Sequence, residues 1–384
     1  MFQTIRLKTP GIIFGMNTLN QLGEEVKKLG GTHVLIITDK GVVGAGILDK
    51  IIEPLKREKI NFEIFDQVEP EPPITNSLTA QKMGTTAKAN VLVGVGGGSS
   101  MDVTKVASVL MKEKVEVKDL FGVEKVTRPG IPTIMVPTTS GTGSEVTRMA
   151  VLTDKEENLK KVVSSFAIMS QVAIVDPMLT VTMPPKVTAS TGIDAFIHAV
   201  ESYIAINASP LTDPLAWEAT RLIAENLGPA VANGQNLSAR YNMALGSLMA
   251  GITLNNAGVG VVHALAYPIG AEYHVPHGIA NVVTLAESMN YLSIANIPKF
   301  VQLAKAMGEP VEGISSREAA ARGIQAMRAL AQSVGLPCRL GDIGADPQKI
   351  PAMAVAAFKE KRLLGNTPRQ LTQDDLRQIF EASL

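Results

Sequence analysis

Four residues in the second half of the chain have the types and spacing to bind a metal ion. Asp194 and His198 lie one helical turn apart in TGIDAFIHAVESY, and His263 and His277 bracket HALAYPIGAEYHVPH. An aspartate and a histidine at positions i and i+4 point to one face of a helix and offer two arms of a metal site. The spacing alone leaves open that these are unrelated polar side chains on buried helices.

A glycine-rich segment, GGGSSMDVTK, follows the apolar run VLVGV and opens a predicted helix. Glycines let the backbone approach a pyrophosphate, and free amides at a helix start attract its negative charge. Ser99 and Asp102 have the spacing of a capping box. A tight turn that binds nothing is the alternative. Because the segment lacks the G-x-G-x-x-G fingerprint, we expect phosphate binding without assigning an ordinary Rossmann domain.

A second loop, PTTSGTGSEVT, also follows a predicted strand and is dense in glycines and hydroxyls. Hydroxyls and amides without fixed charge suit the neutral and phosphate parts of a cofactor, although a flexible surface turn has the same composition. Asp39 ends another predicted strand. A carboxylate there accepts hydrogen bonds from ribose hydroxyls and repels a 2′-phosphate, which favours NAD over NADP, unless it only caps the next helix.

The elements that must position these residues change character near Pro184. Before it, short apolar runs alternate with amphipathic stretches, which is typical of a parallel sheet covered by helices. After it, long segments rich in alanine and leucine have helical periodicity. We predict an α/β domain over residues 1–183 and an all-helical domain over 184–384. The predicted strands are 33–39, 90–98, 132–139 and 172–177; the predicted helices are 19–30, 46–59, 186–205, 213–226, 236–256, 297–307, 316–334 and 347–363.

Composition excludes several classes of function. The 384 residues are 46% hydrophobic and carry 36 basic and 36 acidic side chains, so no overall field recruits nucleic acid or a membrane surface. A single cysteine, Cys338, excludes an intrachain disulfide. No apolar stretch of signal-peptide length opens the chain, and the uncharged run 241–271 holds asparagines and a histidine that a lipid-facing helix disfavours. We expect a cytoplasmic protein.

Taken together, the four segments resemble the signature segments of the iron-containing, or group III, alcohol dehydrogenase family. The resemblance covers essentially the whole chain in order and spacing. It implies a dehydroquinate synthase-like fold, with an N-terminal dinucleotide-binding α/β domain, an all-α C-terminal domain and an active site in the cleft between them. It also implies Fe(II) as the metal, with Zn(II) or another divalent ion compatible with the same donors. The implied ligands are Asp194, His198, His263 and His277.

The resemblance also implies positions that bind NAD. A lysine that touches the cofactor ribose matches Lys160 by ungapped count back from Asp176, with Lys161 adjacent. The implied pyrophosphate loop is Gly96, Gly97, Gly98 and Ser99, the nicotinamide-side loop is Thr138, Thr139 and Ser144, and the ribose-discriminating acid is Asp39.

The chain departs from the family at one position near the nicotinamide. Many members have a second histidine four residues after the first histidine of the third segment, where this chain has Tyr267. A tyrosine passes a proton through its hydroxyl but titrates far from neutral pH unless strongly perturbed. His274 is the other candidate for a proton relay; alternatively, it orients a metal ligand.

The implied reaction is hydride transfer between NAD(H) and small primary alcohols, diols or aldehydes, with the substrate oxygen on the metal. No lysine or arginine occurs between Arg240 and Lys299, or from Val187 to Thr220. Because a phosphate or carboxylate substrate normally needs such a clamp, we expect a small neutral substrate, unless Arg148 turns inward. A homodimer or larger homo-oligomer is implied by the resemblance alone.

Two rival readings of the residues stay open. Within the fold, the chain is also similar to the dehydroquinate synthase branch, a metal- and NAD-using lyase acting on a sugar phosphate, and to glycerol dehydrogenase. The absence of basic residues around the histidines argues against the lyase. A non-catalytic binding or assembly protein is the rival of another class. Loss of a ligand or of the glycine loop would have marked it, and none is lost.

Overall fold

The computed structural model describes residues 4–157 and 159–384, which form two compact units. The α/β unit is Thr9–Thr182, and the helical unit is Met183–Leu384 together with residues 4–8. The backbone of Lys8 accounts for this N-terminal difference from the predicted division. Its N–H donates to Asn256 Oδ1 at 2.8 Å, and its carbonyl accepts from Asn255 Nδ2 at 3.0 Å.

A parallel sheet forms the centre of the α/β unit, with strand order β1-β9-β6-β4-β2-β3. Alternate residues of β2 belong to opposite cores, with Leu35 on one face and Ile36 on the other, because successive side chains of a strand point to opposite faces. A smaller sheet has the order β5-β8-β7. The strands are β1 Gly11–Phe14, β2 His33–Ile37, β3 Asn61–Phe65, β4 Val91–Gly96, β5 Gly122–Val123, β6 Thr133–Pro137, β7 Met149–Asp154, β8 Leu159–Ser164 and β9 Val172–Val175.

The predicted strands correspond to β2, β4, β6 and β9, whose side chains are almost entirely buried. The edge strands β1 and β3 were not predicted. β1 is an apolar run of only four partly exposed residues, and β3 alternates polar and apolar side chains. The antiparallel pair β7 and β8 was also missed. Burial on both faces is therefore what made a strand predictable in this unit.

The helices of the α/β unit cover the parallel sheet. The helix that follows β4 begins at Gly98, with Gly97 at its N-cap and no side-chain cap. The predicted capping box is therefore wrong. Asp102 instead accepts hydrogen bonds from Ser144 Oγ at 2.7 Å and from the Val151 N–H at 2.9 Å. The helices are α1 Leu22–Lys28, α2 Lys40–Gly44, α3 Ile47–Arg57, α4 Ile74–Thr86, α5 Gly98–Lys112 and α6 Val117–Leu120.

The helical unit packs long helices against one another, and its central helix α7 contacts both α8 and α9. Among the described residues, no single helix has the length and apolar composition to cross a membrane; only α9 and α10 together pass that test, as a pair bent by 103°. The helices are α7 Pro185–Ile204, α8 Asp213–Ala232, α9 Leu237–Ala257, α10 Val261–Tyr273, α11 His277–Ser293, α12 Ile297–Ala306, α13 Ser316–Ser333, α14 Ile350–Phe358, α15 Lys361–Leu364 and α16 Gln373–Ala382.

Candidate functional site

Helix α7 carries the predicted Asp-x-x-x-His pair into the interior of the helical unit. Pro185 at its first turn has a backbone angle suited to a helix start. From Gly192 to Ile204 the helix is buried on all sides. Asp194 and His198 are only 4% and 5% exposed, so both polar side chains depend on partners from other helices.

Helices α10 and α11 bring the other two histidines to this pair. His263 lies in the first turn of α10, and His277 is the first residue of α11. Asp194 Oδ1 is 3.9 Å from His263 Nε2 and 4.0 Å from His277 Nε2. These three ligand atoms all lie within 4.8 Å of one another. The ring of His198 stacks on the ring of His263 at a centroid distance of 4.8 Å.

A buried carboxylate, Glu201, orients His263 from the opposite side of its ring. Glu201 Oε2 lies 2.6 Å from His263 Nδ1, and Oε1 accepts from the Val262 N–H at 2.8 Å. Because a carboxylate only accepts, Nδ1 must donate, and Nε2 then presents its lone pair toward Asp194. This is the carboxylate–histidine arrangement that fixes the tautomer of metal ligands.

An amide completes the cluster. Asn281 lies one turn after His277 on α11, and its Nδ2 donates to Asp194 Oδ1 at 2.8 Å. Burial raises the pKa of Asp194, but the three imidazoles and this amide outweigh burial and hold the pKa below its usual range. The carboxylate is therefore available in its charged, metal-binding form.

The donor set fits a divalent first-row ion. A tetrahedral ion with bonds of about 2.1 Å separates its ligand atoms by roughly 3.4 Å, close to the distances between Asp194 and the two imidazoles. Imidazole nitrogens and one carboxylate suit Fe(II), Zn(II) and similar ions. The cluster is buried apart from His277, whose side chain is 38% exposed. That histidine therefore marks the accessible side of the cluster.

The two candidates for a proton relay have different surroundings. The ring of Tyr267 lies 6.4 Å from the ring of His277, and burial raises the pKa of its hydroxyl, which Arg362 opposes. His274 is exposed and ends α10 in a left-handed conformation with φ of 51°. Tyr267 therefore lies beside His277, whereas His274 is exposed at the end of α10.

The glycine loop connects β4 to α5 in the α/β unit. Gly96 has φ of +144°, and a Cβ there would lie 2.7 Å from Ser100 Oγ and 3.0 Å from Asp39 Oδ2. Asp39 accepts from Ser100 Oγ at 3.1 Å and caps α2 through the Val42 N–H, also at 3.1 Å. The capping role that we left open for Asp39 is therefore present, and it fixes the carboxylate beside the glycines.

The second loop contacts the first. The Thr138 N–H donates to the Gly96 carbonyl at 3.0 Å, and the Thr139 side chain lies beside Gly97. Lys105, fully buried on α5, donates to Ser144 Oγ at 2.8 Å and to the Met149 carbonyl at 2.7 Å. Burial lowers the pKa of Lys105 to about 8. This lysine ties α5 to the second loop.

Glu145 adds a second buried charge to this loop. It is 3% exposed, and its Oε2 has no hydrogen-bond partner among the described residues. Burial raises its pKa to about 7, although Lys105 opposes the shift.

Three basic side chains of the α/β unit that the sequence analysis considered are engaged in ion pairs. Lys160 pairs with Glu71 at 2.6 Å, and Lys161 pairs with Glu157. Arg148 contacts Glu124 at 3.3 Å and lies over the ring of Phe166. The structure therefore gives Arg148 an ion-paired role.

Comparison with known proteins decides the family. The model described as "Iron-containing alcohol dehydrogenase" matches residues 9–177, and that described as "Fe-containing alcohol dehydrogenase family, C-terminal" matches residues 188–384. The chain belongs to the iron-containing alcohol dehydrogenase family.

Relatives within this family cover the whole chain. Long-chain-alcohol dehydrogenase 1 of Geobacillus thermodenitrificans is 42% identical, over 96% of this chain and 94% of its own. A crystal structure of 1,3-propanediol oxidoreductase superposes with a TM-score of 0.97 at 39% identity over 100% of both chains. Sulfoacetaldehyde reductase from Bifidobacterium kashiwanohense, solved in complex with NAD+, superposes with a TM-score of 0.88 at 26% identity over 99% of both.

Sequence reasoning missed three side chains of this family member that contact the candidate ligands and the loops. Glu201 follows His198 by three residues on α7, so helical spacing was a usable signal. Asn281 likewise follows His277 by four residues. Lys105 gave no local signal, because its partners lie about 40 residues further along the chain.

Replacing Glu201 with glutamine is expected to weaken metal binding 10- to 100-fold. A glutamine has only one oxygen to serve the Val262 N–H and His263 Nδ1, so the ring is driven toward the tautomer whose Nε2 carries the proton. Competition with a chromophoric chelator measures the affinity. Ser202→Ala is the matched control, since it removes a neighbouring buried hydroxyl without a hydrogen-bond partner among the described residues. Equal affinities for the two variants would contradict this role.

Replacing Glu145 with glutamine is expected to raise Tm increasingly as pH rises from 5 to 8. The folded chain holds this proton up to about pH 7, whereas the unfolded chain releases it near 4.5, so the stabilisation is complete below 4.5 and is lost as pH approaches 7. Glutamine stays neutral throughout. Calorimetry at several pH values measures the difference in Tm, with the exposed Glu116→Gln as control. A difference that is independent of pH would refute the assignment.

Proposed function

We propose that this member of the family interconverts small neutral primary alcohols or diols and their aldehydes by hydride transfer to and from NAD. The observation that carries the proposal is the convergence of Asp194 Oδ1 with the Nε2 atoms of His263 and His277. Glu201 strengthens the proposal. A buried carboxylate that fixes a histidine tautomer is expected beside a metal ligand, whereas beside a histidine that binds no metal its burial only destabilises the fold.

The metal is proposed to be Fe(II), held by Asp194, His198, His263 and His277. The family favours iron, while the donors themselves also accept Zn(II). A bound divalent cation would polarise the oxygen of an alcohol or aldehyde and lower the pKa of the alcohol. The protein's own contribution is to keep Asp194 ionised and His263 in a fixed tautomer.

NAD is proposed as the hydride carrier, bound by the α/β unit. Free N–H groups at the start of α5 suit a pyrophosphate, and Gly96 leaves room for close approach. Asp39 is held beside this loop by Ser100 and would repel a 2′-phosphate, which disfavours NADP. The other proposed contacts are Gly97, Gly98, Ser99, Thr138, Thr139, Ser144 and Lys160.

A neutral substrate is supported by the basic side chains that the structure engages elsewhere. Arg148 pairs with Glu124, and Arg240 is buried against Thr188 and the Gly234 carbonyl. The sequence analysis did not foresee Arg362 on α15, whose charge opposes the rise in the pKa of Tyr267. One relative is named for sulfoacetaldehyde, which is an anion. If this protein accepts anionic aldehydes, Arg362 is the side chain that we expect to bind them.

Two further parts of the proposal concern the protein's setting. The chain is proposed to form a homodimer or larger homo-oligomer, and to act in the cytoplasm.

Tyr267, beside His277, is proposed to pass protons between the substrate and the exposed side of the cluster. His274 is the second candidate for that step.

Replacing Asp194 with alanine is expected to abolish metal retention and turnover. The variant loses the oxygen that lies between two imidazoles, while the loops of the α/β unit are untouched. Metal analysis and NADH fluorescence titration measure the two properties separately, and NAD binding should stay within about twofold of wild type. Full activity with stoichiometric metal in this variant would overturn the metal assignment.

A substrate panel tests the rest of the proposal. Anaerobically iron-loaded protein is assayed with NADH and NADPH in parallel against propionaldehyde, 3-hydroxypropionaldehyde and sulfoacetaldehyde. We expect NADH to be preferred and kcat/KM to be roughly 100-fold higher for the neutral aldehydes, since an anion would lack a basic clamp. A preference for sulfoacetaldehyde that Arg362→Gln removes would refute the neutral-substrate assignment.

A further inference from the structure

Asn281 occupies an unusual position among the buried side chains of the helical unit. It is fully buried on α11, and its Nδ2 lies 2.8 Å from Asp194 Oδ1 and 3.4 Å from His263 Nε2. Its own Oδ1 has no hydrogen-bond partner among the described residues. One amide group therefore faces ligand atoms from two different helices, α7 and α10.

The orientation of this amide follows from Glu201. Because Glu201 makes His263 Nδ1 a donor, Nε2 is an acceptor, and Asp194 Oδ1 is an acceptor as well. His263 Nε2 and Asp194 Oδ1 face each other, and Asp194 Oδ1 also faces His277 Nε2. The side of Asn281 that donates must then point toward them, which leaves its oxygen on the unpaired side.

Keeping this residue carries a cost. A buried polar atom without a partner destabilises the folded chain, and a leucine, which has the same number of side-chain heavy atoms, would avoid that destabilisation. The compensating effect has to come from the two ligand atoms that the amide faces. A hydrogen bond to Asp194 Oδ1 restricts the carboxylate rotamer and draws electron density from the oxygen that binds the cation.

We propose that Asn281 is a positioning residue of the metal centre, which fixes Asp194 as a ligand and limits the negative charge that Asp194 donates to the cation. The proposal rests on the proposed metal centre. Two substitutions separate its two parts. Asn281→Leu removes the donor while keeping the number and branching of the side-chain heavy atoms, whereas Asn281→Asp replaces the donor with a second carboxylate.

The test compares wild type, both variants and Ser288→Ala. Ser288 lies two turns further along the same helix face, is fully buried, and has a hydroxyl without a partner among the described residues. Cobalt(II) affinity is measured by chelator competition, the coordination geometry by the cobalt absorption spectrum, and kcat and KM with the panel's best aldehyde. Thermal unfolding checks that each variant is folded.

Asn281→Leu is expected to bind cobalt 10- to 100-fold more weakly than Ser288→Ala, with an altered absorption spectrum. Asn281→Asp is expected to bind cobalt at least as tightly as wild type, yet to lose about tenfold or more in kcat with little change in the KM for NADH, because added negative charge makes the cation a weaker electrophile. If the leucine variant does not fold, Asn281→Ser is judged by the same criterion.

Cobalt affinity and spectrum of Asn281→Leu equal to those of Ser288→Ala would overturn the positioning role. Wild-type kcat in Asn281→Asp would overturn the charge-limiting role. Failure of the wild-type protein itself to bind cobalt would overturn the proposed metal centre and this inference together, so the two failures are distinguishable.

Discussion

The arrangement of the helical unit depends on a buried negative charge, that of Asp194. A carboxylate that is 4% exposed is costly unless partners compensate for lost water, and here the partners are imidazoles from α7, α10 and α11 and an amide from α11. Each helix thus contributes to stabilising one charge. Because that charge can attract a cation, the same interactions that bring these helices together also form the proposed metal site.

Glu201 and Asn281 act on this centre in opposite senses. Glu201 accepts a hydrogen bond from His263, which would make that imidazole a stronger electron-pair donor to a cation. Asn281 donates a hydrogen bond to Asp194, which would make that carboxylate a weaker electron-pair donor. Both are buried, so each interaction operates without competition from water. The electron density that a bound cation would receive therefore depends in part on residues beyond the proposed ligands.

The spacing of Asp194 and His198 indicated only that the two side chains share one face of α7, and the resemblance was needed to predict that His263 and His277 join Asp194. The two-unit fold could be predicted from sequence, since buried parallel strands and long helices have distinct periodicity. The prediction of a capping box at Ser99 was wrong because Asp102 accepts a hydrogen bond from a loop that follows it by more than 40 residues. Lys105 and Arg362 were missed because their partners depend on tertiary structure, which spacing does not encode.

The α/β unit also buries a charged side chain, but without a close ion pair. Lys105 is wholly buried, yet its nearest carboxylate oxygen, on Asp102, lies 3.9 Å away, and its hydrogen bonds go to hydroxyls and a carbonyl. Neutral partners compensate a buried ammonium less fully than a close ion pair, and burial accordingly lowers its pKa to about 8. The lysine therefore acts mainly through the geometry of its hydrogen bonds, which join α5 to the second loop. A loop held by directional hydrogen bonds to a rigid helix is pre-organised, and this would reduce the entropic cost of binding a cofactor at the loop.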